Sequence, residues 1–259
     1  MVLFILLGIS AGFIAASINS FKDAPYENFL WLKFFRSFVL GSFVGFVYYQ
    51  LHSRGIVAFE NLGILLLAMI PAERGLGELY KGFLKTTNHF EFVHAFKNLR
   101  IPLEIYPVKL LLAVVVLVIY AIIVAMSVWL AGTIITSTLP LLLKGLVVGF
   151  FSTLVVAVGG GAKDSQFEGF DIKKFFRSPL MGMFTGIFLV FFTQNPLLLV
   201  LSNIGLERTA VECYKTFIKR RVRGMHKGKK IAYPQWLSRR WIFFFIYCLN
   251  VLLMLVLLF

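Results

Sequence analysis

Two clusters of ionisable residues carry the only recurring chemistry in this chain. Lys22, Asp23, Glu27, Lys33 and Arg36 reappear 141 positions later as Lys163, Asp164, Glu168, Lys174 and Arg177. Glu73, Arg74, Glu78, Tyr80, Lys81 and Lys85 reappear 134 positions later as Glu207, Arg208, Glu212, Tyr214, Lys215 and Lys219. Arginine suits a phosphate or carboxylate because its planar fork donates two parallel hydrogen bonds. Carboxylates beside it hold it in place or take a proton. The pattern therefore marks Lys22, Asp23, Glu27, Lys33, Arg36, Glu73, Arg74 and Tyr80, with Lys163, Asp164, Glu168, Lys174, Arg177, Glu207, Arg208 and Tyr214, as candidate substrate-binding residues.

Each has a plainer reading. Ser165-Gln166-Phe167-Glu168 fits a capping box and Pro25 a first helical position, so Glu27 and Glu168 suit a helix N-terminus. Asp23 and Asp164 suit solvated interfacial charges. Lys33, Lys174, Arg36 and Arg177 suit cytoplasmic anchors of the helices that follow. On a helix Arg74, Glu78, Lys81 and Lys85 form one self-paired stripe. Capping and anchoring do not explain why side-chain identity, beyond charge sign, agrees at all ten charged positions. Glu73 falls with Tyr80 and Leu84 on the apolar side of its helix, and Glu207 with Tyr214 and Ile218. A carboxylate there is costly unless paired. The expected partners are Arg36 and Arg177, or Arg74 and Arg208, so that the two motifs of each half meet in one charged cluster.

The elements that must position these residues are membrane helices. Hydrophobic residues make up 59% of the chain and charged residues only 15%, and Leu110–Leu130, Leu139–Val158 and Trp241–Phe259 hold one charged residue between them, Lys144. Each is near the ~20 residues that cross roughly 30 Å of hydrocarbon. Residues 2–18 form a further apolar helix, which lacks the basic start and cleavage site of a signal peptide. The net charge of +14 reflects basic residues between these segments, as positive-inside topology and anionic lipid headgroups require, and needs no nucleic acid.

The order of elements is duplicated. Helix 2–18, the first motif as an amphipathic interfacial helix, an apolar pair (37–51 and 56–71) split at His52-Ser53-Arg54-Gly55, the second motif and helix 108–130 are followed by a turn near Gly132. Helix 139–158, the first motif, an apolar pair over 179–205 broken at Gln194-Asn195-Pro196, the second motif, a basic connection and helix 241–259 then repeat that order. The expected fold is an all-α polytopic membrane protein of two tandem repeats, 1–132 and 133–259. Each has two spanning helices, a re-entrant or short helical hairpin and two amphipathic interfacial helices.

Of the 26 Lys and Arg residues, 24 lie in the four motif-bearing segments, which the positive-inside rule places together in the cytoplasm. Each apolar pair must then leave on the face it entered. The 29 residues between Arg177 and Glu207, about 43 Å of helix, suit a hairpin better than two full crossings. Parallel repeats follow, with both termini outside. An inverted repeat with one crossing per pair would split the basic residues 14 to 10.

Nothing points to a metal or cofactor. Cys213 and Cys248 give no disulfide framework, His89 and His94 beside Glu91 share no helix face, and Gly159-Gly160-Gly161 reads as a helix C-cap or hinge. The Arg220–Lys230 segment reads as a membrane-surface patch. Three functions compete. One is a small transporter or flippase-like protein binding a small anionic or lipid substrate at the cytoplasmic cluster. Another is a non-catalytic scaffold, as a homo-oligomer or complex subunit. The third is a membrane enzyme acting on a lipid phosphate.

Overall fold

A computed structural model describes residues 1–57, 61–80, 106–168, 171–220 and 230–259, and among these every regular element is helical. The helices are α1 (Val2–Glu27), α2 (Trp31–Ser53), α3 (Leu62–Leu79), α4 (Tyr106–Thr136), α5 (Leu141–Glu168), α6 (Ile172–Leu189), α7 (Pro196–Cys213), α8 (Trp236–Arg239) and α9 (Trp241–Leu258). Four are long and apolar enough to cross a membrane: Val2–Glu27, Leu117–Thr136, Leu141–Gly160 and Trp236–Leu258, the last including α8.

Close backbone packing sets the helix directions. On α1 and α2, a Cβ added to Gly8 would stand 2.0 Å from the Gly41 carbonyl oxygen, and one added to Gly45 would stand 2.2 Å from that of Phe4. These contacts run in opposite senses, so α1 and α2 are antiparallel. The same arrangement joins α5 to α6, with Gly149 against Gly182 at 2.1 Å and Gly186 against Gly145 at 2.2 Å. Small residues let apolar helices approach where the lipid offers no hydrophobic driving force between them.

Helices α3 and α7 form the core. Every residue from Ile64 to Ile70 is fully buried, as are Leu198 and Leu199, and Gly205 lies against the Leu67 backbone. Around α3 pack α1, α2 and α9; around α7 pack α4, α5 and α6. Both core helices begin with an asparagine cap. The Asn61 side chain accepts from the Gly63 and Ile64 amides, and Asn195 from those of Leu197 and Leu198, answering N–H groups that a helix start leaves unpaired. Asn61 also donates to the Leu258 carbonyl at 3.0 Å, which brings the end of α9 beside the start of α3.

Several boundaries differ from the sequence expectation. The first motif is no separate amphipathic helix: Lys22–Glu27 are the last turns of α1, with Pro25 inside the helix, and Lys33 and Arg36 open α2. Glu27 therefore ends a helix rather than capping one. The chain turns at Asn28, whose φ of 66° suits asparagine. In the second half α5 runs through Gly159–Gly161 and Ser165 to Glu168, so neither the glycine C-cap nor the capping box forms. As far as it is described, the second motif likewise continues α3 to Leu79 and α7 to Cys213. The apolar run simply carries helical hydrogen bonding past these local stop signals. The turn expected near Gly132 falls after Thr136, since α4 continues to that residue. Lys81, Lys85, His89, Glu91 and His94 lie outside the described residues, as do the side chains of Lys163, Asp164, Glu168 and Lys174.

Candidate functional site

The motif charges gather at one end of the bundle. Phe21, near the end of α1, packs on Phe217 beyond α7 and on Trp241 at the start of α9. Among the described residues, Arg54 and Lys144 lie at the other end; Arg54 follows α2, and Lys144 donates to the Ile135 carbonyl.

Within each half the two motifs meet. The Arg36 guanidinium lies over the Tyr80 ring, 5.3 Å from its centre, a cation–π contact. In the second half Glu207 lies among the charges of Arg208, Lys215 and Arg177, and neither of its buried carboxylate oxygens has a hydrogen-bond partner among the described residues. Glu73 and Glu207 are only 2% and 0% exposed, in keeping with their expected place on the apolar side. Arg36 and Arg177 each bury an Nε–H donor that has no hydrogen-bond partner among the described residues. Lys33 pairs with Glu27 across the α1–α2 corner.

One mostly buried ion pair crosses between the halves. Lys22 Nζ lies 2.5 Å from Glu212 Oε2, with the two side chains 11% and 15% exposed, and Lys215 stands 3.8 Å from the other carboxylate oxygen. Burial pushes the Glu212 carboxyl up, but Lys22, Arg74 and Lys215 pull it well below the usual carboxylate range. Burial draws the Lys215 ammonium down; Glu212 opposes this, Arg177, Arg208 and Lys22 add to it, and the result is about 8. Lys22, Arg74, Arg177, Arg208 and Lys215 thus surround Glu207 and Glu212.

Glu212 and Lys215 were not among the residues singled out from the sequence. Both are visible in the repeat as twins of Glu78 and Lys81, but they fall on the stripe that reads as self-paired and solvated. No spacing rule links Lys22 to a residue 190 positions away.

A second polar group lies deeper and only in the second half. Asn203 on α7 accepts from Thr185 on α6 at 2.6 Å and donates to Ser152 and the Gly149 carbonyl on α5, at 2.8 and 3.2 Å. The positions offset by 134 and 141 in the first half are Met69, Val44 and Ala11. This network fastens three helices by side-chain hydrogen bonds, whereas in the first half the Tyr48 hydroxyl of α2 donates to the Ala68 carbonyl of α3 at 2.8 Å.

The surrounding segments close over the α1–α2 corner: the Tyr233 amide donates to the Pro25 carbonyl and the Trp236 indole to Asn28. Among the described residues no group of three or more His, Cys, Asp or Glu side chains is placed to hold a metal ion. Comparison with known protein families, curated proteins and solved structures finds no match to this chain.

Proposed function

We propose that the protein is a membrane transporter of flippase-like type that binds a phosphate-bearing anionic or amphiphilic substrate at this charged end, which faces the cytoplasm. The observation that carries the reading is the pair of equivalent arginines, Arg36 and Arg177, each with a buried Nε–H left without a partner among the described residues. Arg177 stands in a cluster where Lys215, Arg208 and Lys22 are crowded together. Mutual repulsion of partly buried cations is relieved by an anion, and a phosphate supplies acceptors for the unused donors.

Duplication supports the rest of the reading. Two tandem repeats in parallel orientation, each turning back through its hairpin, would present two equivalent mouths on one face and leave both termini on the other. The recurrence of the glycine contacts at an offset of 141, Gly8–Gly41 and Gly149–Gly182, favours it. The tight contact of Gly205 with Leu67 favours the competing scaffold reading, in which the charges only lock helices together.

Thermal unfolding of the detergent-purified chain decides between them. Inorganic phosphate and short-chain phosphatidic acid should each raise the Tm, while phosphatidylcholine at the same concentration should not. Arg36→Gln and Arg177→Gln should each weaken the response. A Tm indifferent to every phosphate-bearing ligand would leave the scaffold reading standing.

A further inference from the structure

The fourth and last long helices each pack on the half to which the duplicated sequence does not assign them. Helix α4 packs on α5 and α7, and α9 packs on α1 and α3. The helices therefore fall into two groups, α1–α3 with α9 and α4–α7, and α9 is also tied to the second group, its Tyr247 hydroxyl donating to the Thr209 carbonyl at 2.7 Å and its Phe244 packing on Phe217. These bodies meet along the α3–α7 contact. At the charged end they are joined by Lys22 of the first body and Glu212 of the second, 2.5 Å apart and mostly buried, with Phe21 packed on Phe217 beside them.

The ion pair is placed to compete with an anion. Glu212 is the carboxylate shared by Lys22 and Lys215, and Arg74 bears on it as well. A phosphate entering this mouth offers the same cations more acceptor atoms and more charge than one carboxylate does. We propose that the Lys22–Glu212 pair is a latch between the two bodies, opened when a phosphate-bearing anion takes Lys22 and Lys215 from Glu212. This rests on the anion-binding reading above, but the latch itself is testable without any ligand.

The reporter is Thr216, 1% exposed and next to Phe217. In the full chain carrying Cys213→Ala, Cys248→Ala and Thr216→Cys, the rate of reaction with a soluble maleimide measures opening of this joint. The parent and Lys22→Arg should react slowly. Lys22→Gln should react about tenfold faster, as expected when a local opening equilibrium loses one of its restraints. The exchange Lys22→Glu with Glu212→Lys should restore slow reaction, which separates loss of the latch from general misfolding.

Inorganic phosphate and phosphatidic acid should each speed the parent, whereas chloride at equal ionic strength should not. A Lys22→Gln chain that stays folded and as protected as the parent overturns the latch. A fast Lys22→Gln beside a parent that ignores both phosphate sources overturns the anion's part and the reading beneath it, while the latch stands.

Discussion

A Cβ placed on Gly41 would stand 2.1 Å from the carbonyl oxygen of Gly8. The neighbour is backbone, so no rotamer change can make room. Gly41→Ala should separate α1 from α2 and cost about 2 kcal/mol or more, read as a lower Tm in detergent. Gly75 is the control: it lies inside α3 with nothing within 4 Å of an added Cβ, so Gly75→Ala should be neutral or gain up to ~1 kcal/mol. Equal losses at both positions would contradict the close α1–α2 approach.

The ion pair predicts a pH dependence with a definite sign. The folded-state pKa of Glu212 is depressed, so its contribution is fully present above the unfolded carboxyl value of about 4.5 and is lost as pH falls below it. Between neutral pH and pH ~3, the Tm advantage of the parent over Glu212→Gln should shrink. An advantage that is constant over this range would mean the carboxylate is not held by cations.

The buried network of the second half predicts a non-additive result. Asn203→Met alone removes the side-chain partner of the Thr185 and Ser152 hydroxyls, which keep their backbone carbonyl acceptors, and should cost about 1 kcal/mol. Adding Thr185→Val and Ser152→Ala installs the residue types found at the matching first-half positions and should recover part of that loss. A triple variant less stable than the single would show that the two halves do not pack alike at this depth.

Orientation is open to direct labelling. In a chain lacking Cys213 and Cys248, Leu32→Cys and Lys173→Cys occupy positions offset by 141 at the charged end, while Gly55→Cys and Gln194→Cys sit at the far end. An impermeant thiol reagent on intact cells should modify the second pair and spare the first until the membrane is opened. Labelling of Leu32→Cys without Lys173→Cys would rule out parallel repeats.

Much of the helix order is legible in the sequence, because long apolar runs and the break at Asn195-Pro196 are local signals. The burial of Glu73 and Glu207 is legible too, since helical phase alone puts them on the apolar side. The extent of α1 is not: Pro25 and Asn28 both look like boundaries, and only packing against α2 decides that the helix passes the first and stops at the second. The Lys22–Glu212 pair and the exchanged packing of α4 and α9 leave no trace in spacing. They arise where segments distant in the chain meet, and one chain read alone carries no record of such meetings.

That exchange bears on how the protein is made. Helix α9 fills the groove beside α1 and α3, and Leu258 receives the hydrogen bond from Asn61 at the start of α3. During synthesis the N-terminal body must therefore wait in the bilayer, one wall missing, until α9 leaves the ribosome, while α4–α7 are made consecutively and can close first. A lesion late in the chain would thus be felt first at its beginning.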